Sequence, residues 1–222
     1  MEEAVDEAWP TDFILFDETL SARGLALVQR LKEKGNLDIL QITPDLMAEI
    51  SDTETPQGVL AVLTCQRLPL PQSPSFILIA DGIRDPGNLG TLLRTAEAAA
   101  ADGVILAPGT VDAFSPKVVR AGMGAHFRLP ILDAAWEEIH TLMAGLPVFL
   151  AESGEGLPVW QANFKQPLAL LIGGEAFGAS SQGQSLTTQK VTIPMPGRAE
   201  SLNAAIAAGI LIAEVLRQRV TK

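Results

Sequence analysis

From residue 76 onward, short and wholly apolar runs alternate with helix-like stretches, and this alternation restricts the fold more than any other feature of the chain. FILIA (76–80), GVILA (103–107), PVFLA (147–151), LALLIG (168–173) and VTIP (191–194) each read as a strand. Between them lie stretches with helical spacing. One runs from Asn88 to Ala101, with Leu89, Leu92, Leu93 and Ala96 on a single stripe. SPKVVRAGMG (115–124) is a short helix: Ser115 is a cap, Pro116 suits the first position, and Gly122 or Gly124 can end it. DAAWEEIHTLMAG (133–145) and SLNAAIAAGILIAEVLRQR (201–219) are two more. Strands apolar on both faces must be covered on both sides, and crossovers of this length suit parallel pairing. The expected architecture is therefore α/β: a mostly parallel sheet with helices on both faces.

The first part of the chain follows a different pattern. FILF (13–16), LDILQI (37–42) and GVLAVL (58–63) read as strands. GLALVQRLKEKG (24–35) reads as a helix, with Leu27, Val28 and Leu31 inward and Gly35 after its end. Thr43-Pro44 opens another helix in cap and first positions. Residues 1–66 are thus expected to be a small α/β domain. Residues 67–75, rich in proline, are expected to be a linker, and residues 76–222 the main domain.

Composition narrows the function. No apolar run reaches the ~18 residues that span a bilayer, and the acidic start MEEAVDEAWP lacks the basic-then-apolar order of a signal peptide. Cys65 is the single cysteine, which leaves no partner for an intrachain disulfide and no cysteine cluster for zinc. A cytoplasmic protein without a bound metal is expected. The net charge of −10 opposes a general affinity for nucleic acid, because lysine and arginine supply most of that affinity. An RNA-binding chain of this balance must concentrate its positive charge locally.

Three segments carry candidate chemistry. In DGIRDPGNLGTLLRTAEAAAADGVIL (81–106) a strand ends in a DPGN turn and Asn88 opens a helix that carries Arg94 about one and a half turns further on. Read locally, Asn88 is the helix cap, Gly87 and Gly90 serve backbone geometry, and Arg94 pairs with Glu97. In LALLIGGEAFGAS (168–180) a strand runs into Gly173, Gly174, Glu175 and Gly178. Glycines there let a ligand approach the backbone, or form a plain loop with a solvated Glu175. The run is not G-x-G-x-x-G, and no G-x-x-x-x-G-K-[ST] loop occurs. In VTIPMPGRAESLNAAIAAGILIAEVLRQR (191–219) Ser201 can cap a helix that is apolar almost all round from Ala204 to Ala213. Such a helix needs cover on several sides, and a subunit interface supplies it.

Taken together, in this order and spacing, these segments resemble the three motifs of the SpoU/TrmH family of RNA ribose methyltransferases within the SPOUT superfamily. The first motif is matched by Asn88, Gly90 and Arg94; the second by Gly173, Gly174, Glu175 and Gly178; the third by Ile193 to Met195 with Ser201, Leu202 and Asn203. FSPKVVRAGMGAHFRLPI (114–131) resembles the family's middle segment, and the likeness covers about residues 75–220. TPQGVLAV (55–62) resembles the end of a small substrate-binding domain found in front of many members. EEAVDEAWPTDFILF resembles the middle of that domain, so the front unit is expected to be incomplete at its start.

The resemblance implies methyl transfer from S-adenosylmethionine (SAM) to a ribose 2′-hydroxyl of structured RNA, with ribosomal RNA before transfer RNA. It also implies a trefoil knot at the C-terminus and a homodimer built on the last helix, with Arg94 reaching the partner's SAM site. SAM would lie on Gly173, Gly174, Gly178, Ile193, Met195, Ser201 and Leu202. Arg94, Asn88, Glu175, Ser201 and Asn203 would form the catalytic set. A guanidinium stays protonated in proteins, so Arg94 is expected to hold the target phosphate and stabilise the developing alkoxide rather than act as a base. Asn88 would orient Arg94 or the ribose, Glu175 would contact substrate or position a loop, and Ser201 and Asn203 would line the pocket. DNA and membranes are not expected partners. Three rivals are a SAM-binding relative that binds RNA without methylating it, a Rossmann-type oxidoreductase or other α/β enzyme, and a non-enzymatic interaction domain. The intact motif set opposes the first, the missing glycine fingerprint the second, and burial of the motif residues away from any pocket would favour the third.

Overall fold

The computed structural model describes residues 2–35, 37–51, 53 and 55–220. The chain divides into two compact units, Met1–Gln66 and Arg67–Lys222.

The first unit contains α1 (Glu2–Asp6), β1 (Thr11–Phe16), α2 (Ala22–Lys34), β2 (Asp38–Gln41), α3 (Pro44–Ile50) and β3 (Val59–Leu63). Its sheet has the order β2-β1-β3; β1 pairs in parallel with β2 and antiparallel with β3. The stripe expected on α2 packs on this sheet, with Leu27 and Leu31 on Ile14, and Val28 beside Phe16 and Leu20. Gly35 closes α2 in the left-handed conformation at φ 76°, as glycine permits. Thr43 caps α3 through the Leu46 N–H, and Pro44 takes the first helical position. Gly58 of the TPQG segment, at φ 71°, packs its Cα against Asp17 and the Leu20 backbone, leaving no room for a side chain.

The second unit is built on β4 (Phe76–Asp81), α4 (Pro86–Ala98), β5 (Gly103–Leu106), α5 (Pro116–Gly122), β6 (Ile131–Asp133), α6 (Trp136–Leu142) and β7 (Val148–Ala151). It continues through β8 (Leu157–Pro158), β9 (Leu168–Gly173), α7 (Ser181–Leu186), β10 (Gln189–Thr192) and α8 (Ala204–Val220). Seven strands form one sheet in the order β6-β5-β4-β9-β7-β10-β8, and every pair in it is parallel. All six residues of β4 are buried, the signature of a strand covered on both faces. One face carries Leu78, Leu92, Leu93, Val118, Leu211 and Ile212 in a single core. The other carries Ile77, Ile79, Ile105, Ile139 and Met143. Helices α4, α5 and α8 thus cover one face and α6 the other. Among the described residues no helix is long and apolar enough to cross a membrane.

Several local expectations are corrected. Helix α4 begins at Pro86 with Asp85 as its cap, so Asn88 lies inside the first turn. Ser115 stands at the cap position of α5, but its hydroxyl makes no cap hydrogen bond. Asn203, not Ser201, caps α8: its Oδ1 accepts from the Ala205 and Ile206 N–H groups at 2.9 and 3.2 Å. The segment 67–75 has no regular structure, yet Leu70 packs on the second core and Arg67 pairs with Asp133 at 2.8 Å. The C-terminal end of α8 is fixed by Arg219, which donates to the carbonyls of Phe164, Ser75 and Gln166 at 2.9, 2.9 and 2.8 Å.

Candidate active site

In an all-parallel sheet the carboxyl ends of all strands lie on one side, and ligands bind there, where the strand order reverses. Here the chain moves from β4 outward to β5 and β6, then returns to the other side of β4. The loops after β4, β7, β9 and β10 therefore meet at one rim.

The β4 loop is held from below. Asp81, an acidic residue ending an otherwise apolar strand, is 2% exposed. Its Oδ2 accepts from the Ser180 N–H at 2.7 Å and the Ser180 hydroxyl at 2.9 Å. Ser180 in turn caps α7 through the Gly183 N–H. This clasp ties the loop after β9 to the end of β4.

The glycines of the second motif serve that closeness. A Cβ on Gly173 would strike the Ala179 backbone, and one on Gly174 the Gly82 carbonyl. Gly174 and Gly178 exchange both backbone hydrogen bonds at 3.0 Å, and Gly178 adopts φ 66°. Both contacts pack backbone on backbone, the plain-loop role open to these glycines, and the same residues also line the pocket at this rim. Gly90 has the corresponding role between helices, because its Cβ would meet Ala121 and the Val118 carbonyl of α5.

With Asp85 capping α4 through the Asn88 N–H at 2.7 Å, the Asn88 side chain is free to point elsewhere. Its Nδ2 donates to Glu175 Oε1 at 2.8 Å, and its Oδ1 accepts from Asn203 Nδ2 at 2.8 Å. Glu175 Oε2 also accepts from the Arg84 N–H at 3.2 Å. One residue from each motif thus joins a single polar chain, in which Glu175, although exposed, is engaged at both carboxylate oxygens. Partial burial alone would raise the Glu175 pKa. Hydrogen bonds from Asn88 and from the backbone of Glu175, Arg84 and Asp85 outweigh it and hold the carboxyl below its ordinary value. Glu175 is therefore ionised at neutral pH, and an ionised carboxylate only accepts hydrogen bonds.

Beside this chain opens a pocket of about 650 Å³, within the usual range for small-ligand sites. Gly173, Gly174, Glu175, Gly178, Ile193, Met195, Ser201, Leu202 and Asn203 all line it. Its aliphatic walls include Ile172, Val191 and Leu211. Glu152, Ser153 and Phe177 also line it and were not singled out from the sequence. No local pattern marks Glu152 or Ser153; the Ser153 hydroxyl donates to the Glu200 carbonyl at 2.6 Å and so joins two rims of the pocket.

Arg94 stands apart. It is exposed on α4, does not line this pocket, and makes no hydrogen bond or ion pair with a described residue. The expected pairing with Glu97 is absent, since Glu97 accepts from Arg128 at 2.8 Å.

The family model for the SpoU rRNA methylase family matches residues 75–213. The chain belongs to that family. Among relatives of this SpoU methylase is the 23S rRNA (guanosine(2553)-2′-O)-methyltransferase RlmP of Bacillus subtilis, 35% identical over 77% of this chain and 69% of that protein. Another is the 23S rRNA (uridine(2479)-2′-O)-methyltransferase of Streptomyces viridochromogenes, 33% identical over 98% of this chain and 80% of the relative. The solved structure of the SpoU methyltransferase AviRb from Streptomyces viridochromogenes, in complex with the cofactor AdoMet, superposes with a TM-score of 0.87 at 31% identity. It covers 99% of this chain and 87% of that one.

Proposed function

We propose that this SpoU methylase transfers the methyl group of SAM to a ribose 2′-hydroxyl of ribosomal RNA. The observation that carries the reading is that the second and third motif segments line one pocket, while Asn88 of the first is hydrogen-bonded to Glu175 and Asn203 on that lining. The relatives' activities, ribose 2′-O-methylation of 23S rRNA, support the same substrate class.

The pocket suits an adenosine-bearing cofactor, because it pairs aliphatic walls with three loops of mostly exposed or half-buried residues. Gly173, Gly174, Gly178, Ile193, Met195, Ser201 and Leu202 would hold it. When bound, SAM supplies an electrophilic methyl group. The remaining task for the chain is to place a ribose hydroxyl in line and to stabilise its developing negative charge. Arg94 is assigned to that charge. Asn88, with both ends of its amide engaged, is a positioning residue for the loops carrying Glu175 and Asn203.

The absence of Arg94 from its own chain's pocket supports a site shared between two copies. Helix α8 leaves Ile206 55% and Ile210 38% exposed, an apolar face suited to a second copy. A knot at the C-terminus belongs to the same reading. Residues 1–66 are assigned to RNA binding. Arg84, Arg94, Lys117, Arg120 and Arg198 are all exposed on the second unit and are the cations assigned to the RNA backbone in this reading.

The test is transfer of label from methyl-labelled SAM to unmodified 23S rRNA, 16S rRNA and transfer RNA. Label is expected in 23S rRNA as an alkali-resistant dinucleotide, since a methylated 2′-oxygen cannot attack its phosphate. Label in transfer RNA alone would move the substrate to that class. SAM binding without transfer to any RNA would favour a relative that binds RNA without methylating it.

A further inference from the structure

The loop that presents Glu175 also presents Phe177, whose side chain is the most exposed large apolar group among the described residues, at 88%. The loop cannot readily fold back to hide it. Its base is closed by the paired Gly174–Gly178 hydrogen bonds at 3.0 Å. Gly173 and Gly174 are packed against neighbouring backbone. Ser180 is clasped by Asp81, and Glu175 is held by Asn88 and the Arg84 N–H. The ring therefore stands at the pocket rim on a turn anchored at both ends.

We propose that Phe177 is a stacking platform for an unpaired nucleobase of the RNA substrate, beside the ribose that is methylated. The proposal rests on the ribose-methylation reading above. Single-stranded RNA is recognised by stacking splayed bases on aromatic rings, with nearby cations on the backbone. Both elements are present here: the ring of Phe177, and the exposed Arg84, whose backbone is hydrogen-bonded to Glu175 two residues away. A role as a wall for the cofactor fits less well. The interior is already walled by Ile172, Val191, Ile193 and Leu211, whereas the Phe177 ring lies almost wholly in solvent. A duplex would bury its base faces in its own stack, so the proposal requires that the target nucleotide or its neighbour be unpaired.

The experiment compares wild type, Phe177→Ala and Phe177→Trp on unmodified 23S rRNA with methyl-labelled SAM, and measures SAM affinity by calorimetry. Loss of one base stack is expected to raise the RNA KM of Phe177→Ala roughly 5- to 100-fold, with a much smaller effect on kcat. SAM affinity should stay within about twofold, and Phe177→Trp should restore the KM, since any large ring supplies the platform. An unchanged RNA KM in Phe177→Ala, with wild type active, would overturn the stacking role alone. A parallel loss of SAM affinity would do so too, by making the ring a cofactor wall. A wild-type chain that binds SAM and labels no RNA would overturn the ribose-methylation reading and this proposal with it.

Discussion

A primary amide has one accepting and one donating end, and Asn88 uses both. Because the Glu175 carboxylate can only accept, the Asn88 Nδ2 must face it, and the Oδ1 must face the Asn203 Nδ2. An aspartate in that place would set two carboxylates against each other, so the residue type is dictated by its partners. Arg94 is the reverse case: no described residue engages it through a hydrogen bond or ion pair. With no ion pair to lose, Arg94→Ala should leave thermal stability and SAM affinity close to wild type. Methyl transfer should fall about 10²–10³-fold, the usual effect of deleting one donor to a developing oxyanion. Arg94→Lys should rescue little, because a point charge does not reproduce the planar fork. Retention of more than a tenth of the activity in Arg94→Ala would make the residue structural.

At the scale of elements, both motif helices are capped by a residue other than the one expected from the sequence. Each helix start offers two capping residues a few positions apart, Asp85 and Asn88 for α4, Ser201 and Asn203 for α8. Capping chemistry ranks these residues as near equals. At α4 the choice falls to what lies across the rim, since Asn88 is engaged by Glu175; at α8 Asn203 does both, capping with its Oδ1 while its Nδ2 reaches Asn88. The α8 assignment is open to measurement. Asn203→Ala removes the acceptor of two helix N–H groups and should cost about 1 kcal/mol, a fall of roughly 2–4 °C in melting temperature. Ser201→Ala should change the melting temperature by less than about 1 °C. Equal losses from the two substitutions would contradict the assignment.

For the whole molecule, the exposed Ile206 and Ile210 and the unengaged Arg94 lead to one expectation. Sedimentation should find a dimer at micromolar concentration. Ile210→Glu should shift it to monomer, because a carboxylate buried in an apolar interface is costly. The same variant should lose methyl transfer while each chain keeps SAM binding, since the pocket residues all belong to one chain. A wild-type monomer that methylates at full rate would remove the shared site.

The central strands β4, β5, β7 and β9 were legible because each carries an apolar run, and burial on both faces requires that pattern whatever the strand order. Leu89, Leu92, Leu93 and Ala96 were legible for the same reason: all four are buried, and a stripe facing a core is a local property of spacing. The family was legible because the three motifs depend on residue type at fixed spacing. The two-residue β8, the three-residue β6 and the polar α7 were not, since segments that short carry no periodicity. Sequence alone determined the fold class, the motif residues and the absence of a dinucleotide fingerprint. Tertiary structure decided the order β6-β5-β4-β9-β7-β10-β8, the Asp81–Ser180 clasp and the Asn203–Asn88–Glu175 chain. Those contacts join residues about 90 to 115 positions apart, and no rule of local spacing reaches across such a distance.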